Sequence, residues 1–249
     1  MRECWAACLG NCSDKISGEH IITDAVFPAD IVTVKGLPWC KDEFKRIGLA
    51  SLVKNVLCTE HNSGLSEADV GAVQLRKALC DVTELSETRK LMNGQDWPVK
   101  KFTVNGLAIE RWCLKTLITI TFGGTVRIRE SSQCGVPSCE LVETAFGLRR
   151  FQPPRAGLYW IGEVGDTVTT VERVEVMTFT NHMDSIEGAR FRFWGFNLLL
   201  VLSDGPTANS FGFTSLDSKE TTQLKALYRP RKLNVHVHDR VSHILEFVW

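Results

Sequence analysis

Between Ser66 and Leu91 apolar residues recur at helical spacing: Val70, Val73, Leu75, Leu79 and Val82. That period gathers them on one face of a helix. Ser66-Glu67-Ala68-Asp69 supplies a start, a hydroxyl cap with an acid three residues on, near the positive end of the dipole. The pattern predicts a helix over 66–80 and a second through Leu91, with Asn93-Gly94 as the stop. A further helix is predicted over 107–119, carrying Leu107, Ile109, Trp112, Cys113, Leu114, Leu117 and Ile118.

Beyond that helix the texture turns to strands. Tyr159-Trp160-Ile161, the stretch 171–176, the stretch 190–194 and the stretch 233–237 read as extended, several with one apolar and one polar face. The longest apolar run, 196–202, is strand-sized and too short to span a membrane. Gly/Pro/Asp clusters at 152–157 and 204–206 separate these segments. The fold class expected is α+β, with helices first and a mainly antiparallel β-sheet or sandwich after them. Residues 1–95 form one unit and 96–249 the other, a helix plus a mainly-β domain.

A composition of 44% hydrophobic and 23% charged residues suits a globular chain with a real core. The 29 basic residues are balanced by 29 acidic ones, so the chain has no global positive field to draw nucleic acid. Only a local patch is left for that task. The start, Met1-Arg2-Glu3-Cys4, has no apolar core of a secretory signal. A cytoplasmic, reducing setting is therefore expected, with no membrane partner. In such a setting clustered cysteines bind metal more often than they form disulfides.

The cysteines do cluster. Cys4, Cys8 and Cys12 precede Glu19-His20, and Cys58-x-x-His61-Asn62 follows. Zinc takes four nitrogen or sulfur ligands, and close pairs suit a tight knuckle. Cys58 and His61 form one such pair. Cys8 and Cys12 serve as the other, and spacing alone allows Cys4 with Cys8 equally well. A loop-rich module of this size gains much of its folding energy from the ion. His20 is a natural general base for water, since imidazole accepts a proton near neutral pH. Glu19 and Asn62 offer oxygen to a second, hard cation.

The stretches Ser17-Gly18-Glu19-His20-Ile21-Ile22 and Leu57-Cys58-Thr59-Glu60-His61-Asn62 resemble two blocks of the HNH, or ββα-metal, endonucleases in their zinc-stapled, treble-clef form. The resemblance covers about residues 4–75. It implies a ββα module and hydrolysis of nucleic-acid phosphodiester bonds, DNA foremost. It implies His20 as general base, with Glu19 and Asn62 holding a catalytic magnesium or manganese. It implies structural zinc on Cys58, His61 and an upstream cysteine pair. Two positions depart from the family's pattern. Val53 stands where many members have Asn, with Asn55 two residues off register, and His61 stands where Cys is usual. The stretch from Asp24 to Val53 is a long insertion. The β domain is left to recognise a ligand or protein partner. A non-catalytic, zinc-stabilised binding module is the other expectation.

Four further groups carry weaker signals. His236 and His238 share a strand face near His243 and read as the wet side of that strand. Cys134 and Cys139 read as loop thiols. Arg149-Arg150 and Arg229-Pro230-Arg231-Lys232 read as solvated surface groups. The aromatic run Phe191, Phe193, Trp194, Phe196 reads as core.

Overall fold

The computed structural model describes residues 4–27, 29–92, 98–129, 131–151, 156–162, 173–181, 183–202, 225–235 and 243–249. The N-terminal half holds a 3-10 turn (Ala7–Leu9), β1 (Ile16–His20), β2 (Ile31–Lys35), β3 (Lys45–Gly48), β4 (Val53–Cys58), α1 (Thr59–Gly64) and α2 (Ser66–Leu91). Next come β5 (Lys101–Asn105), α3 (Gly106–Thr121), β6 (Arg127–Ile128) and α4 (Cys139–Ala145). Strands make up the rest: β7 (Gly157–Gly162), β8 (Arg173–Thr180), β9 (Ser185–Phe193), β10 (Phe196–Val201), β11 (Lys225–Tyr228), β12 (Lys232–Val235) and β13 (His243–Val248). The fold is α+β, with strands concentrated in the C-terminal part.

The strands form a β1-β4 pair, an eight-stranded sheet ordered β11-β7-β10-β9-β8-β2-β3 with β6 beside β9, and a three-stranded sheet β12-β13-β5. The sheets are mixed: β2 runs parallel to β8, β6 to β9 and β13 to β5. The insertion between Asp24 and Val53 is structured. Its strands β2 and β3 complete one edge of the large sheet. Among the described residues, one hydrophobic cluster draws side chains from Cys4 to Phe247, and Ile161, Leu199 and Val201 form a second, smaller one.

The helix predicted in two pieces over 66–91 is one helix, α2. Its cap position is Leu65, and the Ser66 hydroxyl instead donates to the Ser63 carbonyl at 2.8 Å. The Asn93-Gly94 stop lies outside the described residues, as do the turn clusters at 152–155 and 204–206. Val70, counted among the apolar face, is 52% exposed. The face that is buried uses small residues, Ala68, Gly71, Ala72 and Ala78, with Leu75, Leu79 and Val82. The reason is α3, which crosses very close to α2.

Helix α3 begins where Asn105 caps it, its side chain accepting the Ala108 N–H at 3.0 Å. It is buried on almost every side, including its Glu110 and Lys115. Lys54 of β4 closes its other end, donating to the carbonyls of Thr119 at 3.1 Å and Phe122 at 2.6 Å. A cation there also meets the negative end of the helix dipole.

At the α2–α3 crossing a Cβ on Gly71 would stand 2.4 Å from the Ala108 Cβ and 2.9 Å from its carbonyl carbon. Helix propensity alone favours Ala over Gly by about 1 kcal/mol. Overpacking against backbone costs about 1–3 kcal/mol. Gly71→Ala is therefore expected to lower stability in urea denaturation; a raised midpoint would show that the crossing is looser than described.

Candidate functional site

Strand β4 ends at Cys58, which is also the cap residue of α1, and its Sγ accepts the His61 N–H at 3.5 Å. That geometry follows from the Cys-x-x-His spacing: the first turn of α1 folds His61 back over the cysteine. The N-terminal segment docks on the same strand through the Trp5 N–H to the Val56 carbonyl at 2.9 Å. The 3-10 turn and then Gly10 and Asn11, both at positive φ, turn the chain so that Cys12 returns beside Cys4.

Cys4, Cys12, Cys58 and His61 thereby place four ligand atoms within 4.8 Å of one another. His61 Nδ1 lies 3.3 Å from Cys4 Sγ, 3.6 Å from Cys12 Sγ and 3.3 Å from Cys58 Sγ. A tetrahedral zinc with ordinary bond lengths separates its nitrogen and sulfur ligands by about 3.6 Å. The donor set and its spacing suit a metal such as zinc. Of the two upstream choices, Cys4 joins Cys12, and Cys8 does not. Cys8 sits in the 3-10 turn and faces outward, its thiol hydrogen-bonded to Cys139. Cys139, expected in a loop, is the first residue of α4.

The electrostatics favour a cation here. Burial, aided by the neighbouring Cys58 and Cys12, pushes the Cys4 thiol up to about 12. Burial would raise Cys58 too, but hydrogen bonds from the His61 and Ser13 N–H groups, the Ser13 hydroxyl and Cys4 bring it down to about 7. Three crowded thiols thus resist becoming thiolates together unless a metal neutralises them. His61 is buried, its ring edge-on to Phe146 at 5.6 Å, and Trp5 flanks the same phenyl ring at 5.8 Å.

A pocket of about 210 Å³ opens beside this cluster, lined by residues that include Glu19, His20, Asn62, Asp69 and Lys115. His20 closes β1, and β1 is antiparallel to β4 with a bulge between Ser17 and Glu19. Asn62 follows His61 in α1, so the turn that brings His61 to the cysteines places it as well. Asn62 lies inside the helix and is not its cap. Its Nδ2 donates to Ser17 Oγ at 2.8 Å, which commits the nitrogen and leaves the oxygen as the donor atom for a hard cation. His20 Nε2 faces Asp24 at 3.8 Å, and its buried Nδ1 has no hydrogen-bond partner among the described residues.

Glu19 is 3% exposed, and its Oε1 meets Lys115 Nζ at 2.5 Å. The same ammonium reaches Asp69 of α2 at 2.6 Å. Thr23 donates to Asp69 and accepts from Trp112 Nε1, so β1, α2, α3 and the segment after β1 share one network under the pocket. Two carboxylates against one ammonium leave the group one negative charge. Burial raises the Glu19 carboxyl above its ordinary range, and Lys115 opposes that rise. Lys115 was not among the residues expected to matter. Its sequence signal was a lysine flanked by apolar residues, Cys113-Leu114 before it and Leu117-Ile118 after it.

Val53, where the family pattern has Asn, is directly opposite His20 in the ladder and 37% exposed. Asn55 sits beside Gly18 at the bulge, its Oδ1 3.5 Å from where a Gly18 Cβ would be. Among the other groups, His236 and His238 lie outside the described residues. His243 is buried, accepting the Lys100 N–H at 3.4 Å, with the Arg89 guanidinium also at 3.4 Å. Arg149 pairs with Glu140 and Glu143 on the surface. Arg229, expected in solvent, turns inward and grips buried Glu110 through two bonds of 2.8 and 3.0 Å. Phe191, Phe193, Trp194 and Phe196 are buried in the core as expected.

Comparison with protein-family models, with curated proteins and with solved structures finds no match for the chain. No helix among the described residues is long and apolar enough to cross a membrane.

Two outcomes follow from this geometry. Cys4→Ser and Cys58→Ser are expected to lose bound metal in elemental analysis, whereas Cys8→Ser keeps it; metal loss from Cys8→Ser alone would overturn the assignment. Lys115→Met strands the buried Glu19 carboxylate, with the half-buried Asp69 beside it, and is expected to cost about 3–5 kcal/mol. Without the ammonium the folded-state Glu19 carboxyl rises further above the unfolded value of about 4.3. A raised carboxyl weakens the fold as pH climbs through its window. The deficit of Lys115→Met should therefore be largest at neutral pH and shrink toward pH 4.3; a deficit that grows on acidification would contradict it.

Proposed function

We propose that the protein is a metal-dependent endonuclease of the HNH type, hydrolysing phosphodiester bonds of nucleic acid, DNA foremost. The observation that carries this reading is the meeting of His20 and Asn62 on the walls of one pocket, at the end of β1 and on α1. The β1–β4–α1 order and the adjoining Cys3His cluster support it.

His20 serves as general base for the attacking water, its solvent-facing Nε2 lying 3.8 Å from Asp24. Glu19 and Asn62 are the residues that would hold a magnesium or manganese ion. Their oxygens and the net negative charge beneath the pocket fit a hard cation. Such an ion supplies polarisation of the phosphoryl oxygen and stabilises the leaving oxygen. Lys115 aims Glu19 and opposes the rise that burial gives its carboxyl. Zinc on Cys4, Cys12, Cys58 and His61 holds the scaffold and takes no part in the chemistry.

One observation favours the non-catalytic binding module instead: Glu19 already has a buried cationic partner in Lys115. Plasmid nicking in magnesium or manganese separates the two readings. His20→Ala is expected to slow cutting by about 10²–10⁴-fold. Equal cutting by the variant, or no cutting of DNA or RNA by the native protein with either ion, would defeat the endonuclease reading.

A further inference from the structure

The insertion that leaves the pocket after His20 and returns at Val53 builds a positively charged face on the large sheet. Its cross-strand register is explicit. Arg46 of β3 lies opposite Thr33 of β2, and Thr33 pairs with Arg173 of β8. Lys35 pairs with Glu175, and Glu175 lies opposite Arg192 of β9. Paired residues in a sheet point to the same side. Arg46, Lys35, Arg173 and Arg192 therefore share one face. The alternate residues Val32, Val34, Val174, Val176, Phe191 and Phe193 fill the core behind it. Among the described residues, these four and Arg190, opposite Met177, share the face with Glu175, which Lys35 meets at 3.7 Å, in a chain whose formal charge is zero. In the loop before β3, Glu43 is engaged by Lys45 at 3.2 Å.

A cleft of about 490 Å³ opens on this face, lined in part by Phe44, Arg173, Glu175, Arg192 and the Trp194-Gly195 turn. That turn joins β9 to β10 with both residues at positive φ, the two-residue hairpin that glycine favours. Phe44 is 40% exposed, and the Arg173 guanidinium lies over its ring at 4.2 Å. Lys35 Nζ is 5.4 Å from the same ring.

We infer that this face binds single-stranded nucleic acid, with Arg46, Lys35, Arg173 and Arg192 on the phosphates and Phe44 stacking a base. From β3 to β9 is three strand spacings, about 14 Å, long enough for several successive phosphates. An aromatic ring among cations suits unpaired bases, whose flat faces are open. A duplex hides those faces, and a cleft in a sheet offers no helix or ribbon for its major groove. The inference rests on the nuclease reading for the identity of the polymer. Its geometry is separate from the His20 pocket.

The test is fluorescence anisotropy with a fluorescein-labelled, mixed-sequence DNA 20-mer, single-stranded or annealed. The protein is the full-length His20→Ala chain without added magnesium, folded state being checked by circular dichroism. It is expected to bind the single strand more tightly than the duplex. Adding Arg173→Ala and Arg192→Ala should weaken single-strand binding at least tenfold. It should also flatten the plot of log affinity against log salt by about 1.4, at about 0.7 per phosphate contact. Phe44→Ala should cost about fivefold or more. Unchanged affinity and salt slope in the folded arginine variant, tighter binding of duplex, or no binding at all would overturn the inference. If the native protein cuts DNA while the arginine variant binds normally, only this inference fails. If the single strand binds as expected and nothing is cut, only the endonuclease reading fails.

Discussion

The contact on which the N-terminal third depends is the approach of three cysteine sulfurs to one imidazole nitrogen. The segment from Cys4 to Cys12 is mostly turns and buries few large side chains. Its hold on β4 otherwise includes the Trp5 N–H bond to the Val56 carbonyl. The same cluster sets the first turn of α1, because Cys58 is both a ligand atom and the helix cap. Asn62 is the next residue after a ligand, and β1 is laddered to the strand that ends in another. The positions of His20 and Asn62 are thus consequences of where four ligand atoms meet.

Helix α3 ties this region to the rest of the molecule through two buried charges. Lys115 reaches Glu19 and Asp69 on one side, and Glu110 grips Arg229 of the C-terminal strands on the other. Buried ion pairs are weak sources of net stability, since desolvation offsets most of the attraction. Their effect here is geometric: wrong docking of α3 would leave a charge unpaired. The Lys115 group lies directly under the pocket, so packing and site chemistry share the same atoms.

Much of this was legible in the sequence. Apolar periodicity gave α2 and α3, though the expected Ser66 cap did not form; alternation gave most of the C-terminal strands, and spacing brought Cys12, Cys58 and His61 together. The choice of Cys4 over Cys8 was not legible, because it depends on a 3-10 turn that points Cys8 outward. Val70 misled because the tight crossing at Gly71 rewards small residues over large ones. The parallel pairing of β2 with β8 joins segments about 140 residues apart, which no local pattern records. Arg229 and Lys115 were missed for one reason: a long cation looks like a surface residue until its buried carboxylate is known. Both sit beside apolar stretches, which was the available hint.

The site combines a Cys3His cluster that could hold a metal such as zinc with a pocket that presents an imidazole and an amide oxygen above Glu19 and Asp69. Its chemistry follows only if the scaffold cation is real. The most direct measurement is the zinc X-ray absorption spectrum of the protein purified without chelator. Three sulfurs at about 2.3 Å and one nitrogen at about 2.0 Å are the predicted coordination shell. A spectrum with only oxygen and nitrogen neighbours, or a protein that holds no zinc, would contradict the account.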